Sequence, residues 1–265
     1  MIHTVNIEGK EGAARPRRVA LVTGGGKGLG RAIAANLAKG GMQVAVMGRD
    51  ATSLEKTARE IGGVSLLADV TDREAVERAL AKLHEQCGPV SVLVQNAGIA
   101  TSAKLQATTD ADWERAMAVN VTAPFRIARA LLPEMVKAGW GRVIHVASTA
   151  GLTGYAYTSA YCASKHALVG LTRALSAEFA RANVTVNAVC PGFLDTEMTG
   201  RTTAVIAQKT GRSEAEARRA LEEQSPQRRL FQVEEVAHVV AMLAADDARG
   251  ITGQALSICG GQVMR

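Results

Sequence analysis

The sequence predicts an α/β fold: a doubly wound, mostly parallel seven-stranded sheet with helices on both faces. Three observations carry this. A short apolar run, Val19-Ala20-Leu21-Val22, leads into a glycine-rich stretch and then an Ala-, Ile- and Leu-rich helical segment. Further short apolar runs follow, alternating with segments of helical periodicity, the pattern of a parallel sheet. The 265 residues fit one large α/β domain or two small ones, and no repeat, low-complexity tract or linker divides them.

Residues 1–17 read as a flexible polar tail with no apolar signal-peptide core. Residues 18–265 read as one domain. Its first strand is Arg18–Thr23, followed by Thr23-Gly24-Gly25-Gly26-Lys27-Gly28-Leu29-Gly30 and a helix from Arg31 to Lys39. Strand, glycine loop and helix in this order make a dinucleotide site: glycines admit a pyrophosphate to the backbone, and the helix N-terminus offers free N–H groups. The spacing is Gly24-x-x-x-Gly28-x-Gly30 rather than Gly-x-Gly-x-x-Gly. Next come a strand at Gln43–Met47, a helix at Ala51–Ile61 and a strand at Val64–Ala68 that ends on Asp69. Thr71-Asp72-Arg73-Glu74 has the form of a capping box opening a helix to Gln86. A strand at Val90–Val94 ends in Gln95-Asn96-Ala97-Gly98. A long helical region, Thr109 to Ala138, contains Asn120 and Pro124. A strand at Arg142–Ala147 precedes a helix from Ala160 to Phe179. A strand at Val184–Val189 runs into Cys190-Pro191-Gly192, and residues 193–225 are polar and basic, with a capping pattern at Ser213-x-x-Glu216. A helix at Val233–Ala245 and a strand at Ala255–Ile258 close the chain. Thr23, Gly48, Asp69, Asn96, Ser148 and Pro191 all fall just beyond strand ends, on the edge where open parallel sheets bind ligands.

Composition narrows the function. A hydrophobic share of 47% supports a substantial core. The net charge of +6, from 31 basic and 25 acidic residues, suits anionic ligands, but 3% aromatics argue against stacking on nucleic-acid bases. Cys87, Cys162, Cys190 and Cys259 are scattered, with no Cys-x-x-Cys or zinc spacing, which points to reduced thiols in a cytoplasmic protein. No apolar run approaches the ~20 residues of a membrane span.

The chemistry concentrates between Ser148 and Lys165. All three tyrosines, Tyr155, Tyr157 and Tyr161, lie there, and only Tyr161 has a lysine four residues on, which puts both on one helix face. An ammonium beside a phenol favours phenolate, so Lys165 is expected to lower the Tyr161 pKa from about 10. Such a group can protonate an alkoxide or deprotonate an alcohol. Ser148, at a strand end, can hydrogen-bond a carbonyl oxygen.

Taken together, Thr23-Gly24-x-x-x-Gly28-x-Gly30, Asn96-Ala97-Gly98, Asn120, Ser148, Tyr161-x-x-x-Lys165 and Pro191-Gly192-x-x-x-Thr196 resemble the short-chain dehydrogenase/reductase family, over roughly residues 18–262. Gln95 departs slightly, since the family more often has Asn there. The resemblance implies a Rossmann-type oxidoreductase in which Tyr161 is the general acid or base. Lys165 lowers the Tyr161 pKa and bonds the nicotinamide ribose, Ser148 orients the carbonyl, and Asn120 supports a water in the proton relay. It also places Thr23, Gly24, Lys27, Gly28, Leu29, Gly30, Arg49, Asp69, Val70, Asn96, Ala97, Gly98, Pro191, Gly192 and Thr196 along the cofactor, with Tyr161 and Lys165. Asp69 would approach the adenine and Thr196 the carboxamide. Hydride passes directly between nicotinamide and carbon, so no metal is needed. A homotetramer is the family expectation, with Leu168, Leu171, Leu175 and Phe179 as candidates for its interface, or else turned toward the sheet.

Cofactor choice follows from the end of the second strand, Met47-Gly48-Arg49-Asp50. A carboxylate there would hold both ribose hydroxyls and repel a 2′-phosphate. Gly48 stands at that position, with Arg49 beside it and Lys27 in the glycine loop, which favours NADPH over NADH. Asp50 reads as the N-cap of the next helix, although a count from the glycines could make it the ribose ligand. The substrate loop at about 193–225 carries Arg201, Lys209, Arg212, Arg218 and Arg219, charges suited to an acyl-CoA or an acyl carrier protein or simply to a solvated lid. The stretches around Tyr161, Asn187-Ala188-Val189-Cys190-Pro191-Gly192-Phe193 and Ala255–Gly261 resemble 3-oxoacyl reductases and aromatic polyketide ketoreductases. The latter usually carry Pro-Gly-Gly after Asn-Ala-Gly, where this chain has Ile99-Ala100-Thr101-Ser102. The expected function is an NADPH-dependent reductase of 3-oxoacyl thioesters. The alternatives are a polyketide ketoreductase or a dehydrogenase of a secondary alcohol or cyclic hydroxyacyl-CoA in a degradative pathway.

Overall fold

Seven parallel strands pair in the order β3-β2-β1-β4-β5-β6-β7 in the computed structural model, which describes residues 17–264. The expected N-terminal tail, Arg17 apart, lies outside the described residues. The strands are β1 (Val19–Thr23), β2 (Gln43–Gly48), β3 (Val64–Leu67), β4 (Val90–Gln95), β5 (Gly141–Val146), β6 (Val184–Pro191) and β7 (Ala255–Ile258). Strand order reverses between β1 and β4, which makes their carboxyl ends the switch point where a crevice opens. There Thr23 pairs in register with Gln95, and Gln95 with His145.

Each strand reads as an apolar run because both sheet faces are covered. Within β1, Ala20 and Val22 face helices α1 (Gly28–Lys39), α2 (Ala51–Ile61) and α9 (Val233–Ala244), packing with Ile33, Leu37, Leu54 and Val240. Val19 and Leu21 face the opposite layer, where α3 (Arg73–Cys87) and α5 (Ala123–Ala138) supply Leu83, Ile127, Leu131 and Met135. The helix α6 (Ser159–Phe179) joins that layer. Leu168 is buried, Leu171 packs with it, and Leu175 and Phe179 pack on the core beside Val143 and Val186. Within the chain these four side chains therefore pack toward the sheet, Leu168 fully and the other three in part.

Several boundaries differ from the sequence reading. Helix α1 starts at Gly28, inside the glycine loop, rather than at Arg31. Helix α3 is capped by Asp72, which accepts from the Ala75 N–H at 3.0 Å, because the Thr71 hydroxyl instead donates to Asp69 at 2.7 Å. The long segment from Thr109 is not one helix. Helix α4 (Asp110–Met117), opened by a Thr109–Asp112 capping box, passes through a π-helical turn at Ala118–Thr122 into α5. Pro124 explains the turn. It has no N–H, so the carbonyl of Asn120, four residues earlier, loses its α-helical donor, and the Ala123 N–H reaches back five residues to Ala118. The expected substrate loop folds as α7 (Glu197–Thr210) and α8 (Glu214–Glu222), the latter opened by the Ser213–Glu216 box. Among the described residues no helix is long and apolar enough to cross a membrane.

Candidate active site

The glycine loop is held by the end of β4. Thr23 Oγ1 accepts from the N–H groups of Asn96 and Ala97, both at 3.1 Å, and Asn96 Nδ2 donates to the carbonyls of Thr23 and Gly24 at 3.0 and 3.2 Å. Thr23 and Asn96 thus brace the loop. A Cβ on Gly30 would lie 2.2 Å from the Gly24 carbonyl oxygen and 2.5 Å from Asn96 Nδ2, so only glycine fits. Gly28 has φ +50° and faces open space bounded by the Thr196 methyl 3.9 Å away, so Thr196, the N-cap of α7, closes the far side of this groove. Lys27, at the N-cap of α1, caps nothing with its side chain, and the first N–H groups of the helix face the groove without a side-chain acceptor. Residues and chemistry fit a dinucleotide pyrophosphate. Leu29 packs into the α1–α9 layer, Val70 into the opposite one, and Pro191 is buried at the end of β6. The Gly192 N–H donates to the Ile258 carbonyl at 2.9 Å, which fixes the backbone between Pro191 and the lid.

At the end of β2, Asp50 caps α2 through the Ser53 N–H, as expected. Both cations expected there have carboxylate partners: Lys27 Nζ lies 2.7 Å from Asp50 and an Arg49 nitrogen 3.6 Å from Asp69. Burial pushes the Asp69 carboxyl up, but the Thr71 N–H and hydroxyl, with Arg49, outweigh it and hold the group below its usual range.

Tyr161 and Lys165 share one face of α6, with Lys165 Nζ 5.8 Å from the phenol ring centroid. Lys165 is buried and donates to the Val146 carbonyl at 2.8 Å. Burial pushes its pKa down to about 8. The expected lowering of the Tyr161 pKa is not what the site produces. Burial of the phenol pushes it up, and the Ser148 hydroxyl bond offsets this only in part. Lys165 points its ammonium at the β5 carbonyl rather than at the phenol oxygen. The phenol therefore keeps its proton at neutral pH. Ser148 Oγ accepts from the Ala150 N–H at 3.1 Å, which fixes it at the rim of β5.

Asn120 does not hang free in the relay position. Its Oδ1 accepts from the Ile99 N–H, and its Nδ2 donates to the Ile99 carbonyl and the Ser164 hydroxyl, each at 2.9 Å. The side chain pins the loop after Gly98 to α6, while Pro124, which has no N–H, leaves its backbone carbonyl without an α-helical donor. A Cβ on Gly98 would sit 3.2 Å from Asn120 Oδ1 and 3.5 Å from Lys165 Nζ, so this glycine admits both groups to one corner.

Sequence reasoning missed the wall of the cleft. Tyr155 donates to Thr149 at 2.9 Å, and its ring meets Phe193 edge-on at 6.4 Å. Beside the start of α6, a cleft of about 270 Å³ is lined by Thr101, Ser102, Asp112, Tyr157 and Ser159. Tyr157 has φ +67°, strained for a non-glycine residue, and its carbonyl accepts from the Ala103 N–H at 2.8 Å. Of the basic residues expected to meet substrate, Arg218 is engaged by both Asp195 oxygens at 3.0 and 2.8 Å, and Arg201 pairs with Glu197 one turn earlier in α7.

Below the site lies His145, fully buried, with Nδ1 2.8 Å from Thr172 Oγ1. The Thr172 hydroxyl donates to the Leu168 carbonyl, so Nδ1 carries the proton. Burial and then the Lys165 charge push the His145 pKa down to about 3. An unfolded His takes up its proton near pH 6.5. The stability that the neutral ring contributes is therefore complete above pH 6.5 and lost as pH falls toward 3, at up to about 1.4 kcal/mol per pH unit. Thermal melts of His145→Gln between pH 6.5 and 4 should show a shallower acid slope than wild type. Parallel slopes would refute this.

The family model for short chain dehydrogenases matches residues 18–206. A 3-oxoacyl-[acyl-carrier-protein] reductase of Pseudomonas aeruginosa is 38% identical, over 93% of this chain and 98% of that protein. A D-beta-hydroxybutyrate dehydrogenase of Rhizobium meliloti is 34% identical, over 92% and 98%. Among solved structures, an actinorhodin polyketide ketoreductase variant determined with NADPH superimposes with a TM-score of 0.90 at 36% identity, over 93% of this chain and 97% of that one. The chain belongs to the short-chain dehydrogenases, oxidoreductases that act on keto and hydroxyl groups with a nicotinamide cofactor.

Proposed function

We propose that the protein is an NADPH-dependent reductase of 3-oxoacyl thioesters, carried on coenzyme A or an acyl carrier protein. The observation that carries this reading is the cluster of Ser148, Tyr161 and Lys165 beside the glycine cradle, with a phenol that keeps its proton at neutral pH. The 3-oxoacyl-[acyl-carrier-protein] reductase relative supports the substrate class. When bound, the cofactor supplies a hydride. Ser148 orients the substrate carbonyl oxygen, Tyr161 Oη hands that oxygen a proton, and the Lys165 ammonium beneath favours the resulting phenolate. Asn120 fixes Ile99 and leaves its carbonyl toward a water that returns the proton. The polyketide ketoreductase and hydroxybutyrate dehydrogenase likenesses keep a polyketide or a 3-hydroxy acid as the competing substrates. Turnover of acetoacetyl-CoA against free 3-hydroxybutyrate decides between thioester and free acid.

The scattered, unpaired thiols support a cytoplasmic setting. A homotetramer belongs to this reading. Exposed Trp113 and Phe125 on α4 and α5 support that surface as an interface, and a monomeric mass by light scattering at micromolar concentration would remove it.

NADPH is preferred in this reading because Gly48 leaves no carboxylate at the ribose, while Arg49 and Lys27 flank it. A Cβ on Gly48 would meet only Leu54 methyls, the nearest at 3.5 Å, so Asp can be introduced without steric conflict. Gly48→Asp with Arg49→Ala should invert the preference. Arg49 is exposed and paired, so its loss alone should weaken NADPH about tenfold. The check is the ratio of kcat/KM for NADPH over NADH. A wild type that prefers NADH would overturn the assignment.

A further inference from the structure

We infer that Asp50 sets how strongly the protein prefers a phosphorylated dinucleotide, by holding Lys27 away from full engagement with the 2′-phosphate. The inference rests on the NADPH reading and goes beyond it. A site built only to attract phosphate would leave its cations free. Here the end of β2 carries charges in balance: Lys27 and Arg49 against Asp50 and Asp69, paired at 2.7 and 3.6 Å. The tighter pair is the informative one. Asp50 Oδ1 accepts from the Ser53 N–H at 3.2 Å and performs the helix-capping duty. The other oxygen, Oδ2, is the one bound to Lys27. A cap requires a side-chain oxygen but no charge, and Asn caps as well as Asp. The cap hydrogen bond therefore does not require the charge of Asp50, which beyond its favourable place at the helix N-terminus acts on Lys27. The pairing raises the Lys27 pKa and lowers that of Asp50, so both stay charged across the physiological range. Glu197 and Arg201, at the start of α7, also act on Lys27, in opposite senses, and leave Asp50 as its dominant partner.

A phosphate arriving beside Lys27 must share the ammonium with Asp50 and tolerate the carboxylate next to it. The unphosphorylated dinucleotide meets neither penalty. Asp50 thereby narrows the gap between the two cofactors, and Asp50→Asn should widen it while keeping the cap.

The test is calorimetric titration of the whole chain with NADPH and with NADH at low salt, for wild type, Asp50→Asn, Lys27→Ala and the double variant. Asp50→Asn is expected to bind NADPH about three- to fivefold more tightly, with NADH unchanged and the gain fading at high salt. In the Lys27→Ala background the gain should shrink to the part that relief of direct carboxylate–phosphate repulsion supplies, because there is no ammonium left to release. Equal NADPH affinity in wild type and Asp50→Asn, with the melting temperature retained, overturns the inference alone. A gain of undiminished size without Lys27 overturns the coupling through Lys27. Asp50→Ser, which also caps, repeats the test if the Asn variant fails to fold. A wild type that binds neither dinucleotide refutes the reductase reading itself, and this inference with it.

Discussion

Tyr161→Phe is expected to lower kcat by at least ~100-fold while leaving NADPH affinity nearly unchanged. The substitution keeps the ring, and with it the packing at the start of α6, and removes only the hydroxyl. The phenol is the group that burial keeps protonated, with the Ser148 hydroxyl acting against that shift. Without the phenol the developing alkoxide keeps the Ser148 hydrogen bond but has no acid beside it to give up a proton: Lys165 Nζ is committed to the Val146 carbonyl and stands back from the phenol. The measurement is single-turnover reduction with saturating cofactor, alongside a binding titration. A variant that keeps most of its turnover would show that Tyr161 is not the proton donor. A variant that loses cofactor affinity in parallel would show that the hydroxyl serves binding instead.

Gly30→Ala is the second large effect. The added Cβ would sit 2.2 Å from the Gly24 carbonyl oxygen and 2.8 Å from its carbon, and that backbone cannot give as a side-chain end would. Asn96 cannot move aside either, since its amide bonds both Thr23 and Gly24. The loop must open by the order of an ångström, a displacement that costs about 100-fold in a positioned site. Overpacking should also lower stability by about 1–3 kcal/mol. Dinucleotide titration and a thermal melt check the two parts separately. Wild-type cofactor affinity in a folded Gly30→Ala protein would mean that the loop does not cradle the pyrophosphate.

The sheet was legible because each strand is an apolar run of the right length and both its faces are covered. The strand-end positions of Thr23, Gly48, Asn96, Ser148 and Pro191 followed from the same pattern. What escaped depends on contacts between distant elements. The sign of the Tyr161 shift is one case. Spacing brings Lys165 to the same helix face, but burial and the direction of the ammonium are settled by β5. The face of α6 is another: Leu168, Leu171, Leu175 and Phe179 share a stripe, and a stripe alone does not say whether sheet or solvent meets it. The ion pairs of Lys27 and Arg49 join residues 23 and 20 positions apart, beyond any local pattern. The π-helical turn, by contrast, had a readable signal, since Pro124 withholds its donor from the carbonyl four residues earlier, that of Asn120.

The most direct measurement of the central claim is the wild-type protein with acetoacetyl-CoA and each reduced cofactor, following cofactor oxidation and product together. The expected result is 3-hydroxybutyryl-CoA formed one for one with NADPH oxidised, at a higher kcat/KM than with NADH. No thioester turnover with either cofactor, together with oxidation of free hydroxy acids or simple secondary alcohols, would contradict it.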